Sequence, residues 1–133
     1  MGEITSMAGI EVWTIQMAQW RKAKELGIEL IDTTVKSGKS VFAPTWEMVM
    51  DIKNATPETR VGAEELYTRR YHTAMQQSWK QHVGQWLELL SKERVAIACY
   101  CKPGVFCHRH LLIEYLGKVA VKKGIPFIYK GEL

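Results

Sequence analysis

Apolar and polar positions are arranged along the chain so as to predict strands and helices in alternation. Val12-Trp13-Thr14-Ile15 is a short β-favouring run and predicts a first strand. Met17 to Leu26 predicts a helix, with Trp20, Ala23 and Leu26 on one face and Gly27 as its stop. Ile28 to Asp32 predicts a second strand, parallel to the first across a βαβ unit. Thr33 to Pro44 is a polar, glycine-containing loop. Pro44 and Thr45 suit a helix start, continued by Trp46, Val49, Met50 and Lys53. Thr56-Pro57-Glu58 looks like a further start, with helix over 63–77 and 78–90. Trp79, Val83, Trp86, Leu87 and Leu90 form the apolar stripe of the second stretch.

Arg94 to Cys99 is a continuous apolar run after its first residue, the pattern of a central strand buried on both faces. His108 to Lys122 predicts a helix with Leu111, Leu112, Tyr115, Leu116 and Val119 inward, and Gly124 ends it. Pro126 to Tyr129 predicts the last strand. The expected architecture is α/β: residues 1–133 as a single three-layer domain. Its sheet is mainly parallel, of about four or five strands, with helices on both faces. In such sheets ligands sit beyond the carboxyl ends of the strands. That rule gathers the loop after Asp32, the Cys99–Arg109 turn and the loop after Ile15.

Composition changes this picture little. The chain has 133 residues, 47% hydrophobic and 24% charged, with a net charge of +4, which favours anionic partners. No apolar run is long enough to span a membrane, so no membrane partner is expected. Met1 to Met7 shows no basic region followed by an apolar one, hence no signal peptide is expected. Three cysteines lie within nine residues, a poor disulfide framework that fits a reducing compartment. A cytoplasmic location is expected, and a homo-oligomer is left open.

The chemistry concentrates in Cys99-Tyr100-Cys101-Lys102-Pro103-Gly104-Val105-Phe106-Cys107-His108-Arg109. Cys99 and Cys101 are two apart and point the same way on extended backbone. Pro103-Gly104 turns the chain, and Cys107, His108 and Arg109 fall at the start of the next helix. A helix start attracts anions and lowers the pKa of a thiol. Three readings stay open. Cys107 is a reactive thiolate, with His108 as proton carrier and Arg109 as an anion clamp. Alternatively Cys99, Cys101, Cys107 and His108 hold a metal such as zinc, although the spacing is not the paired Cys-x-x-Cys form. Or the cysteines are small buried hydrophobes, and His108 and Arg109 alone meet a ligand.

The apolar strand ending in Cys99, followed by Cys107-His108-Arg109, resembles the domain of unknown function 488 (DUF488) family. Trp13-Thr14-Ile15, Ile31-Asp32, and the tyrosines at 67 and 71 fall where that family has its first strand, its second strand and central tyrosines. The family commonly follows its Asp with Val-Arg, whereas Thr33-Thr34 stand here, leaving Lys36 or Lys39 to supply a basic group. Cys101 is extra to the usual pattern. The resemblance implies an α/β fold and a link to nucleic-acid or nucleotide metabolism.

Further candidates follow from position. Asp32 ends a strand and suits a general base, a ribose contact or a loop-fixing hydrogen bond. Lys36-Ser37-Gly38-Lys39-Ser40 contains Gly-Lys-Ser, but Thr33 stands where a phosphate loop needs its first Gly; a flexible basic loop touching phosphate is the remaining reading. Tyr67 and Tyr71 share a helix face and with Arg70 could frame a base and its phosphate; as a bland alternative they are half-buried rings on a solvated basic face. His82 reads as surface, and Trp46, Trp79 and Trp86 as core.

The expected function is therefore binding of a nucleotide, nucleoside or nucleic-acid ligand at a Cys-His-Arg helix start. Cys107, His108 and Asp32 would act on a glycosidic or phosphoester bond. Arg109, Tyr100, Thr33, Thr34, Lys36, Tyr67, Arg70 and Tyr71 would hold the ligand. No cofactor is required, though zinc is compatible. The alternatives are a non-catalytic sequestering module and a zinc-stabilised nucleic-acid-binding protein.

Overall fold

A computed structural model describes residues 9–38, 40–101 and 106–133. The readings of Met1–Met7, Lys39 and the Pro103-Gly104 turn lie outside the described residues. Among the described residues four strands form one sheet: β1 (Ile10–Gln16), β2 (Glu29–Asp32), β3 (Arg94–Cys99) and β4 (Phe127–Glu132). The order is β2-β3-β1-β4 and every pairing is parallel. The strands of each βαβ unit are thus parallel, as expected, but not neighbours. β3 lies between β1 and β2, and β1 lies between β3 and β4.

The α-helices among the described residues cover the sheet: α1 (Trp20–Glu25), α2 (Trp46–Lys53), α3 (Arg60–Gln81), α4 (Val83–Leu90) and α5 (His108–Lys122). The chain leaves β1 towards one edge and leaves β2 and β3 towards the other. Right-handed crossings therefore put α1 on one face and α2 to α5 on the opposite face. Two apolar clusters match this division. Ala23 of α1 packs with Ile15, Ile28, Ala96 and Ala98. The larger core joins Ile10, Val12, Ile31, Val95 and Ile97 of the sheet to Met48, Tyr71, Trp86, Leu112 and Leu116 of the helices. β3 is buried on both faces after Arg94, which its unbroken apolar run requires.

Several boundaries differ from the sequence reading. Met17 to Gln19 is a turn of 3-10 helix, and α1 has only six residues. Trp20 and Leu26 are exposed and Ala23 alone is buried. Positions three apart rotate short of a full turn, so Trp20 and Leu26 diverge by about 120° around the helix. α3 starts at Arg60, beyond the Thr56-Pro57 start read from sequence, and breaks at His82, whose φ of −132° is not helical. Thr45 caps α2 by accepting from the Met48 amide. Gly27 and Gly124 adopt φ of 70° and 68°, the left-handed values that glycine tolerates at helix ends.

The loop between β2 and α2 is packed along its second half. Val41 and Phe42 are buried. Tyr71 donates to the Phe42 carbonyl at 2.8 Å, and Ser78 donates to the Val41 carbonyl at 2.6 Å while accepting from the Trp86 indole at 2.9 Å. These bonds bind the loop to α3 and α4. Among the described residues no helix is long and apolar enough to cross a membrane.

Candidate functional site

The first half of the same loop forms a tight turn beyond the carboxyl end of β2. Asp32 accepts from the Thr34 amide at 2.9 Å and from the Ser37 hydroxyl at 2.6 Å. Burial pushes its carboxyl up, but the bonds from Ser37 and Thr34 outweigh this and hold it below the usual carboxylate range. Gly38 lies so close to the Thr33–Thr34 backbone that an added Cβ would collide with it. Gly38 is therefore folded back on its own loop, its amide donating to the Thr34 carbonyl at 2.9 Å. Asp32 holds the turn through both of its carboxylate oxygens.

β3 ends at Cys99, and α5 starts with Cys107 as N-cap residue. The Sγ atoms of Cys99, Cys101 and Cys107 all lie within 4.8 Å of one another. Those of Cys99 and Cys107 are in contact, yet their Cα atoms are 7.9 Å apart. A relaxed disulfide spans about 4.4–6.8 Å between Cα atoms. The backbone therefore holds the pair wider than a bonded cystine, as two facing sulfurs.

His108 is buried. Its Nε2 lies 2.8 Å from the Thr33 carbonyl oxygen and 2.9 Å from Thr33 Oγ1. A carbonyl only accepts, so Nε2 carries the proton and donates. Thr33 Oγ1 spends its own proton on the Ala98 carbonyl at 2.9 Å. Nδ1 is then unprotonated, and it faces Cys107 Sγ at 3.7 Å. Burial, together with the Arg109 charge, pushes the His108 pKa down to about 4 against the opposing bond to Thr33. The imidazole is neutral at physiological pH.

Arg109 is wholly buried. Its Nε and Nη2 donate to the two carboxylate oxygens of Glu132 at 3.3 and 3.1 Å. Its Nη1 donates to Cys99 Sγ at 2.8 Å and to the Cys101 carbonyl at 2.9 Å. Every guanidinium nitrogen is thus engaged inside the protein. Arg109 braces the cysteine turn and is not free to clamp a ligand anion, which revises its expected role.

Above the sulfurs opens a cavity of about 500 Å³. Its floor is Cys99, Cys101, Cys107 and His108; its walls carry the rings of Trp46, Tyr67, Tyr100 and Phe106 and the apolar Val35, Val49 and Ile52. Thr34, Lys36 and Lys53 also line it. Tyr67 and Phe106 meet edge to face at 5.2 Å between ring centres. Burial, then the nearby Cys101, pushes the Tyr67 phenol up, so it stays protonated.

Of the residues read from sequence, Cys107, His108, Tyr100, Thr34, Lys36 and Tyr67 come together at this cavity. Thr33 stands behind His108. Tyr71 is fully buried, bonded to Phe42 and packed 5.7 Å from the His108 ring, so it is neither half-exposed nor at the cavity. Arg70 pairs with Asp51 and, at 3.8 Å, with Glu47, outside the lining. Trp46, read as core, is 49% exposed and lines the cavity. The sequence reading missed Lys53, Phe106 and Glu132. Phe106 adjoins the Cys-His-Arg triplet and was open to notice; Glu132 lies 23 residues from Arg109 with no local signal.

A family model described as the active DUF488-N3 subclade matches residues 8–120. No curated protein and no solved structure matches the chain.

Proposed function

The chain belongs to the DUF488 family, and from that footing we propose a cysteine-dependent enzyme acting on a nucleotide, nucleoside or nucleic-acid ligand. The observation that carries this reading is the Cys107–His108 pair on the cavity floor. An unprotonated Nδ1 faces a thiol at 3.7 Å, with its tautomer set by the Thr33 carbonyl. As Cys107 Sγ attacks an electrophilic centre, its proton passes to Nδ1. The bond to the leaving group breaks, and the leaving group takes that proton from His108. Water then releases the sulfur adduct. The same sequence serves a glycosidic carbon, where a base departs, or a phosphorus, where an alcohol departs.

The ligand class follows from the walls. Trp46, Tyr67, Tyr100 and Phe106 offer flat apolar surface for a nucleobase. Lys36 and Lys53 supply positive charge suited to phosphate. The family model's description as an active subclade favours turnover over sequestration.

Thermal-shift screening with nucleosides and nucleotides, followed by product analysis, tests the reading. Turnover by wild type, with loss in Cys107→Ser and His108→Ala of about a hundredfold or more, is the expected result. Binding without turnover in all three proteins would make the domain a sequestering module. Turnover unaffected in Cys107→Ser would remove the thiol mechanism.

A further inference from the structure

We infer that Cys99, Cys101 and Cys107 form a zinc site whose occupancy silences the Cys107 thiol. This rests on the proposed thiol chemistry only for its consequence; the site itself stands on the sulfur geometry. Three sulfurs lie within 4.8 Å of one another. Zinc–sulfur bonds of about 2.3 Å place the sulfurs of a tetrahedral site about 3.8 Å apart. Small side-chain adjustments therefore bring all three onto one ion. The 7.9 Å Cα separation of Cys99 and Cys107 is too wide for a relaxed disulfide, so turning the two side chains apart on that backbone admits an ion between their sulfurs.

The surroundings are those of a supported ligand set. Three thiolates around a divalent ion leave one net negative charge, and the buried Arg109 sits against it. Its Nη1 bonds both Cys99 Sγ, at 2.8 Å, and the carbonyl of Cys101, at 2.9 Å, orienting two of the three ligand residues. Glu132 fixes the guanidinium in turn. Each thiol gives up its proton to solvent on binding. The cavity lies over the three cysteines, so the fourth position on zinc opens to water or ligand. Cys101 is the residue that turns a pair of facing sulfurs into a three-ligand site.

Cobalt(II) titration of reduced protein reads the site without reference to activity. The expected result is one equivalent per chain, with thiolate-to-cobalt charge-transfer absorption and the intense d–d bands of a tetrahedral ion, displaced by zinc. Cys101→Ser is expected to weaken zinc binding by at least about tenfold and to leave Cys107 open to iodoacetamide when zinc is present. In the wild type, zinc should protect Cys107 from the same reagent. Sub-stoichiometric cobalt without charge-transfer absorption overturns the inference, as does affinity unchanged in Cys101→Ser. The zinc-free alkylation of Cys107 reports separately on the thiol mechanism, so the two readings fail independently. A matching thermal melt of Cys101→Ser confirms that the variant folds.

Discussion

A guanidinium buried as deeply as that of Arg109 is stable only where its charge is matched. Glu132 matches it through two hydrogen bonds. Glu132→Ala removes the partner of a buried charge and, because Glu132 itself reaches solvent, is expected to cost about 2 kcal/mol, less than breaking a fully buried pair. Chemical denaturation of the two proteins measures it. The same variant loosens the turn that Arg109 braces, so it should also weaken cobalt binding. The Cys107–His108 pair is legible residue by residue: both adjoin a helix start, and helix starts are where thiols are tuned. The role of Arg109 was not legible. A basic residue beside them reads as an anion clamp until the carboxylate that occupies it is seen, and that carboxylate comes from the last strand.

Among the elements, the loop from Thr33 to Pro44 decides the shape of the cavity. Its first turn hangs on Asp32, whose carboxyl is held below the usual range by hydrogen bonding. A depressed folded-state pKa contributes stability that is present above the unfolded value of about 3.9 and is lost as pH falls through the folded one. Amide exchange at Thr34 and Ser37 should therefore quicken as pH drops below about 4, once corrected for the intrinsic rate, and Asp32→Asn should show the quickening already at neutral pH. Exchange that does not respond to either change would remove Asp32 from the turn. The far half of the loop hangs on Ser78, which links the Val41 carbonyl to the Trp86 indole. Ser78→Ala leaves both buried groups without that partner and is expected to lower stability by about 2 kcal/mol, read from a thermal melt. The sequence pattern gave the strands and the helix order correctly because β3 and α5 carry strong apolar signals. It underestimated this loop because its anchors, Tyr71, Ser78 and Trp86, lie on helices more than 25 residues away, beyond any local periodicity.

Across the whole molecule, the parallel sheet in the order β2-β3-β1-β4 brings the ends of β2 and β3 side by side. The turn after β2 then supplies Thr33 to His108, and the turn after β3 supplies the sulfurs. α2 and α3 close the wall with Trp46, Val49 and Tyr67. The strand order could not be read from the sequence, since nothing in β1 or β2 alone shows that β3 inserts between them. If the cavity takes an anionic ligand, the combined Lys36→Glu and Lys53→Glu variant should bind nucleotide at least about tenfold more weakly, and with a shallower dependence on salt. Equal affinity and equal salt slope would place the phosphate elsewhere.

In the proposed mechanism His108 Nδ1 takes the Cys107 proton. Site-resolved iodoacetamide labelling of reduced, zinc-free protein at neutral pH tests it most directly, with wild type and His108→Ala compared and the adduct located by mass spectrometry. Cys107 is expected to be labelled in the wild type and at least about tenfold more slowly in His108→Ala. A Cys107 labelling rate unchanged by loss of the imidazole would contradict it.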